Sequence, residues 1–319
     1  MVKANSSRED SEWSTLDRNI LAIIFDKLDI MDIIMGASRV CIYWFLAFHN
    51  KILWNTIDLT KLNHKGKNVL YKYPVDKEAL SFSNLSIKMS RFFFNFCRVK
   101  HTKLKNLIVE ITKLSRTAPC NVFFSFNSYL QMEHLMFVAK RMANIEKLAL
   151  PVSWSLYKGL DSFRFAFSQW KNLKTLIMAN DFTWGSFEIR VLGESCSNLN
   201  NLKLIGFYIL GNDAAEGIVH YHQSLTRLSL RCSFIDVEVV ILLIRGLRNL
   251  TILNLTHCKI LRWYLMMNDV VQAATQNLDK LITCSEYDCQ VCKDRPPMFR
   301  EQKFYEKHCQ NDEIKELEF

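Results

Sequence analysis

At 319 residues the chain could hold one large or two ordinary domains. Hydrophobic residues make up 49% and charged residues 23%, a balance that excludes a mainly disordered chain. Glycine (9) and proline (5) are too scarce for long flexible linkers. The net charge of +9 is uneven, with −2 over residues 1–60 and +11 over residues 61–319. The larger part would therefore suit an acidic protein, an anionic ligand or a nucleic acid, or it simply carries surplus surface lysine.

Residues 1–11 are expected to be a disordered N-terminus. Met1 to Glu12 are polar and charged and lack the apolar stretch of a secretion signal. The longest apolar run, Val237 to Ile244 with Glu238 inside it, is too short to span a bilayer. No membrane association is expected, and the chain is placed in the cytoplasm, the nucleus or both. Its 10 cysteines then read mostly as reduced, buried thiols.

The first periodic segment opens at Trp13-Ser14-Thr15-Leu16. Ser14 or Thr15 can accept from the open amides of a helix start, and Asp17 suits the positive end of its dipole. Leu16, Ile20, Ile24 and Leu28 recur every four residues, and Leu21 and Phe25 widen the stripe into one broad apolar helix face. Asp29 or Asp32 restarts the chain as a short helix carrying Ile33 and Ile34, which Gly36 weakens. A third segment brings Val40, Trp44 and Phe48 to one side. Three short helices cannot bury this much apolar surface among themselves, so part of it should be covered by a partner.

The order of these residues resembles the F-box. The matching pattern is Leu16-x3-Ile20-Leu21-x2-Ile24-Phe25-x2-Leu28-x3-Asp32-Ile33, then Val40-Cys41-x2-Trp44, then Leu53-Trp54-x2-Ile57-Asp58-Leu59. Asp17 stands where the family usually has proline, and Asn19 where an acidic residue is usual. Asp is a good alternative at a helix start. The resemblance implies a three-helix module over residues 12–59 that inserts apolar side chains into a Skp-type adaptor, and through it joins a cullin–RING ubiquitin ligase. The residues carried over as adaptor-binding are Leu16, Ile20, Leu21, Ile24, Leu28, Val40, Cys41 and Trp44.

From about residue 100 a phrase recurs, L-x-x-L-x-L, starting at Leu104, Ile145, Leu173, Leu199, Leu225, Leu250 and Leu278. The starts are 41, 28, 26, 26, 25 and 28 residues apart. All but the first interval fall in the leucine-rich-repeat window of roughly 20–29. The later leucines of each phrase alternate inward on a short strand. Between strands, Glu188 to Cys196, Ala214 to His222 and Glu238 to Leu247 carry helix-period apolar positions. No such unit buries its faces alone, so stacked units should share one core as a solenoid.

The long first interval reflects either an insertion around residues 117–121 or a degenerate repeat near Val122 to Phe126. The strand Trp54 to Leu59 and a helix Leu80 to Phe96 look like a worn first repeat. Cys258 sits where such repeats bury a small polar group against turn backbone, and Cys196 and Cys232 read as packing thiols.

Together these features resemble the plant-expanded F-box/leucine-rich-repeat family. The expected fold is α/β: an N-terminal three-helix F-box, then a leucine-rich-repeat solenoid over residues 60–285 with parallel strands on the concave face and helices on the convex face. A Cys-containing tail follows over residues 286–319. In that family the repeats recognise the protein to be tagged, so the resemblance implies a substrate-recognition subunit and not a catalyst. A non-degradative interaction scaffold is the alternative.

Strand register predicts three columns on the concave face. The first is Lys147, Thr175, Asn201, Arg227 and Ile252. The second is Ala149, Ile177, Lys203, Ser229 and Asn254. The third is Pro151, Ala179, Ile205, Arg231 and Thr256. The polar and basic members Lys147, Thr175, Asn201, Lys203, Arg227, Ser229, Arg231 and Asn254 are the candidate substrate-binding residues. An acidic or phosphorylated segment could pair with the cations among them. Aromatic side chains are too thinly interleaved with them to favour a nucleic acid.

Near the C-terminus, Cys284-x4-Cys289-x2-Cys292 contains one Cys-x2-Cys spacing of the kind that lets two thiolates share a metal. His308 or Cys309 could join, but a second well-spaced pair is missing. The spacing leaves open whether these cysteines bind zinc or form a reduced-thiol cap on the last repeat, and no metal or cofactor is assigned. Catalytic signatures are missing: there is no Gly-rich phosphate loop, Gly-x-Ser-x-Gly or His-Glu-x-x-His.

Overall fold

The computed structural model describes residues 16–60, 104–115, 119–124, 130, 132–150, 160–179, 185–205, 209–284 and 289–293. The described residues open with four short helices: α1 (Arg18–Phe25), α2 (Ile30–Met35), α3 (Ile42–Ala47) and α4 (Lys51–Trp54). A 3-10 turn (Ala37–Arg39) separates α2 from α3. Asp17 is the N-cap of α1 and accepts from the Asn19 amide at 2.8 Å, so the carboxylate standing in for the family's proline starts this helix. Ser14 and Thr15, the other expected caps, lie outside the described residues. Asp29 occupies the N-cap position of α2, and Gly36 ends it.

Helix α4 runs directly into strand β1 (Thr56–Leu59), which opens an 8-stranded, all-parallel sheet. The sheet continues through β2 (Asn121–Phe124), β3 (Lys147–Leu150), β4 (Thr175–Ala179) and β5 (Asn201–Ile205). After β6 (Ile209–Leu210) come β7 (Arg227–Ser229) and β8 (Phe234–Asp236), then β9 (Ile252–Asn254), β10 (Lys259–Leu261) and β11 (Lys280–Ile282). The large sheet takes the order β1-β2-β3-β4-β5-β7-β9-β11, while β6, β8 and β10 form a second, 3-stranded sheet that the sequence did not announce.

Helices connect the strands: α5 over 104–115, α6 (Met132–Arg141), α7 (Leu160–Gln169), α8 (Ser186–Ser195), α9 (Asn212–Tyr221), α10 (Val237–Gly246) and α11 (Trp263–Asn277). A last short helix, α12, spans Gln290–Lys293. Neighbouring strands are parallel because each crossover helix returns the chain to the same edge, and strands buried beneath helices read as apolar runs. The expected solenoid of strands and helices is therefore the observed architecture.

One expectation is corrected. The phrase at Leu104 is helical, since α5 covers it, and the strand of that repeat is β2, where Val122 pairs with Leu148. Of the two readings of the long interval, the degenerate repeat near Val122 is the one observed. Leucines at i and i+3 satisfy a helix as well as a repeat strand, so the motif alone could not separate them. The expected helix at Leu80 to Phe96 lies outside the described residues, and Trp54 belongs to α4 and not to the first strand.

The core is one continuous cluster from Leu21 in α1 to Ala274 in α11. The inward leucines Leu148, Leu176, Leu202, Leu228 and Leu253 are buried in successive strands. Polar residues that precede the repeat leucines tie each coil to the one before it. The Asn198 amide donates to the Lys171 carbonyl at 2.9 Å, the Ser224 hydroxyl to the Leu199 carbonyl at 2.7 Å, and the Asn249 amide to the Gln223 carbonyl at 2.8 Å. Each supplies a partner for a turn carbonyl that the sheet ladder leaves unused.

Candidate functional site

The helical N-terminus has two apolar stripes facing opposite ways. Leu21, Ala22 and Phe25 point inward, where Phe25 stacks on Phe48 at 4.3 Å between ring centroids and meets Trp44 edge-on at 5.0 Å. Ile20, Ile24 and Leu28 point outward, at 49%, 38% and 38% exposure. Leu21 is completely buried, so of the residues matched to an adaptor-binding pattern it is the one that supports the helix from inside. Both stripes are apolar, and packing against Phe48 and Trp44 decides which one faces the core.

Val40 stands 62% exposed beyond the same module, Cys41 and Leu16 are half-buried, and Trp44 is half-buried against Phe25. The outward surface also contains Ile23, Ile42 and Tyr43, which the motif did not single out and which are all more than half exposed. Isolated exposed aliphatics are ordinary. Here Ile20, Ile23, Ile24, Leu28, Val40, Ile42 and Tyr43 are all exposed between residues 20 and 43.

The predicted register holds for the first two columns of the strand face. Lys147, Thr175, Asn201, Arg227 and Ile252 pair in sequence across β3, β4, β5, β7 and β9, as do Ala149, Ile177, Lys203, Ser229 and Asn254. Accessibility within the columns differs from the expectation. Lys203 (3% exposed), Ser229 (0%), Thr175 (4%) and Arg231 (9%) are buried, which closes them to an incoming chain.

Lys147 stays exposed, and Asn201, Arg227 and Asn254 half-buried. The accessible strip of this face is therefore Lys147, Asn201, Arg227 and Asn254, without Thr175, Lys203, Ser229 and Arg231. Asn201 also donates to the Thr175 hydroxyl at 3.1 Å, as Asn121 does to Thr56 at 3.0 Å, so part of the first column is tied to itself. Pro151 lies outside the described residues.

The repeat cysteines behave as packing groups. Cys196 and Cys232 are buried, and burial pushes the Cys196 thiol up to about 12. The Cys258 thiol donates to the Leu230 carbonyl at 3.0 Å, the turn-backbone role expected of it.

The tail cysteines behave differently. Cys284, just past β11, meets Cys289 and Cys292 at the start of and within α12, and all three gather around His257, in the turn after β9. Cys284 and Cys292 sulfurs lie 3.2 Å apart. His257 Nδ1 is 3.4 Å from each of them and 3.5 Å from the Cys289 sulfur. The His257 amide donates to the Cys284 sulfur at 3.0 Å. A hydrogen bond from the Cys292 thiol, opposed by partial burial and aided by His257, holds Cys284 down at about 4, and the same bond pushes Cys292 up.

Sequence reasoning missed His257 because it looked for a fourth ligand nearby along the chain. His308 and Cys309, considered for that role, lie outside the described residues. The available signal was the repeat itself, since a solenoid sets each residue beside its counterpart one coil later, as the β9–β11 pairing of Asn254 with Ile282 does here.

Among the described residues, no helix is long and apolar enough to cross a membrane. No family model matches the chain. An Arabidopsis thaliana protein provisionally named an F-box protein is 51% identical over 341 aligned positions, which span 100% of both chains. A second Arabidopsis thaliana protein, named an F-box/LRR-repeat protein, is 23% identical over 331 positions spanning 99% of each chain. Among solved structures, the leucine-rich repeat-containing protein LegL7 from Legionella pneumophila covers 62% of this chain and 76% of its own at 16% identity. Its TM-score of 0.35 is too low to bear on the fold, which rests on the strand register above. Half-identity to an F-box protein along the whole length, joined to parallel-stranded leucine repeats, leads to one conclusion: the chain belongs to the F-box/leucine-rich-repeat proteins.

Proposed function

We propose that the chain is the substrate receptor of a Skp–cullin–F-box ubiquitin ligase, with the helical module of residues 12–59 as its F-box. The outward stripe Ile20, Ile24 and Leu28, with Val40, supports this most directly. It is a ready-made apolar face on a module whose opposite side is already committed to the core, as a helix-in-groove contact requires. The repeats hold the target, and the accessible strip Lys147, Asn201, Arg227 and Asn254 suits an acidic or phosphorylated segment. Such a subunit breaks no bond itself. It raises the effective concentration of a substrate lysine beside the ubiquitin carrier.

The test is adaptor binding by the full chain carrying Ile20→Asp and Ile24→Asp. Both positions are solvent-facing, so the fold should survive, as circular dichroism can verify. Each apolar side chain buried on docking contributes ~1.5–3 kcal/mol, so the double variant should bind a Skp-type adaptor roughly a hundredfold more weakly or worse. Unchanged affinity would remove the docking assignment. A receptor is separated from a non-degradative scaffold by measuring the half-life of captured partners after removal of this chain. A receptor's partners become longer-lived, and a scaffold's do not.

A further inference from the structure

The four groups His257, Cys284, Cys289 and Cys292 lie on three separate pieces of chain, and their ligand atoms all fall within 4.8 Å of one another. Hydrogen bonding does not account for the cluster. A neutral imidazole nitrogen has one bond to give or accept, yet three sulfurs surround Nδ1 at 3.4, 3.4 and 3.5 Å. A disulfide does not account for it either. Joining Cys284 to Cys292 would bring their sulfurs from 3.2 Å to about 2.05 Å and leave Cys289 and the imidazole converging on nothing.

A tetrahedral metal does account for it. Zinc–sulfur bonds of about 2.3 Å and zinc–nitrogen bonds of about 2.0–2.1 Å fix the tetrahedron's nitrogen–sulfur edges near ~3.5 Å and its sulfur–sulfur edges near ~3.8 Å. The observed nitrogen–sulfur separations lie within about 0.1 Å of that edge, while the Cys284 and Cys292 sulfurs, at 3.2 Å, stand closer than the sulfur–sulfur edge and would part as a metal entered between them. Three thiolates with one imidazole form a soft, closed donor set that selects zinc over magnesium or calcium.

We propose that His257, Cys284, Cys289 and Cys292 form a structural Cys3His zinc site that clamps the C-terminal end of the solenoid. The ligands are disposed for that role. His257 sits at a φ of 59°, a left-handed conformation that the fold holds in its turn. The counterpart turn one coil earlier, which follows Ser229 as this one follows Asn254, places Cys232 at a φ of 63°. The turn is thus inherited from the repeat, and in the last full coil its left-handed position carries an imidazole. Cys284 follows β11, the last strand among the described residues, where Lys280 is exposed and Leu281 and Ile282 are only half-buried. A repeat array needs its end covered, because its last coil has no neighbour to share a core with. Joining the β9 turn to α12 across β11 supplies that cover in covalent form. Four protein ligands leave no open position for substrate or water, which separates this site from a catalytic one.

The test uses the full chain as purified, with reductant added only for the metal titrations and alkylation. Metal analysis by plasma mass spectrometry after purification without chelator should find about one zinc per chain. Apoprotein titrated with cobalt(II) should develop the visible bands of a tetrahedral thiolate–imidazole ion. Bound zinc should slow alkylation of Cys284, Cys289 and Cys292 at least tenfold, as read by peptide mapping, while leaving Cys41 and Cys120 unaffected. Cys289→Ser and His257→Ala should each lower zinc content or affinity more than tenfold, and Cys120→Ser should leave both unchanged. The alkylation pattern is read on the unaltered chain, so the proposal stays testable even if a variant fails to fold. A chain that takes up neither zinc nor cobalt would overturn the site. So would one that keeps its metal in both ligand variants, or one that carries a Cys284–Cys292 disulfide as purified.

Discussion

His222 is 1% exposed, and its Nε2 donates to the Ile189 carbonyl of the neighbouring coil at 2.9 Å. Burial lowers its pKa below the ordinary 6.5, only partly offset by that carbonyl. The neutral ring is therefore the folded form, and the unfolded chain takes up the proton first. This contribution to stability is whole above about pH 6.5 and is lost as pH falls below it. Urea midpoints should drop between pH 7.5 and 5.5, and by less in His222→Gln, whose amide keeps a donor for Ile189. Equal drops in the two proteins would show that His222 does not govern that window. Single residues were legible in the sequence where their neighbours are set by the repeat, as with the packing thiols Cys196 and Cys232 and the turn thiol Cys258. They were not legible where depth matters. Lys203 and Arg231 look like exposed cations from their alternation and are buried. Leu21 and Ile20 look equivalent, and only one of them is covered.

Helices of the convex layer approach closely, and one glycine sets the distance between α8 and α9. A Cβ on Gly193 would lie 2.4 Å from the Tyr221 Cβ and 2.7 Å from the Tyr221 carbonyl oxygen, so backbone would have to move. Alanine in a helix normally gains ~0.5–1 kcal/mol over glycine, whereas overpacking of this kind costs ~1–3 kcal/mol. The clash outweighs the propensity, and Gly193→Ala should lower the thermal midpoint, a result that scanning calorimetry can check. A rise would mean that the helices part without cost. Elements were legible where the apolar period is unambiguous: α8, α9 and α10 lie within a residue or two of the helix-period segments. The Leu104 phrase was not, because its spacing fits a helix and a strand alike. The small sheet of β6, β8 and β10 was also hidden, since its strands have only two or three residues each and leave no run long enough to show a period.

The molecule as a whole is quasi-one-dimensional, each coil packing on its neighbours. At the N-terminal end the helical module shares the core of the repeats. Trp54 and Ile57 are buried at the junction, the Trp54 indole donates to the Phe48 carbonyl, and His49 Nδ1 reaches the Leu114 carbonyl of α5 at 2.9 Å. The proposed docking module is thus also the cap of the first coil, so an adaptor bound to Ile20 and Ile24 would hold the concave face at a fixed angle without a flexible tether. In a repeat array stability passes between neighbours and fades with distance. Removing residues 1–50 should therefore open the near coils and spare the far ones. Hydrogen exchange should show protection lost by more than tenfold at the amides of β1 and β2 and nearly unchanged in β7 and β9. Uniform loss would mean a single cooperative unit, in which adaptor binding could be felt along the whole substrate face. No loss anywhere would mean that the module is an appendage, and the rigid coupling of adaptor to substrate would have to be abandoned.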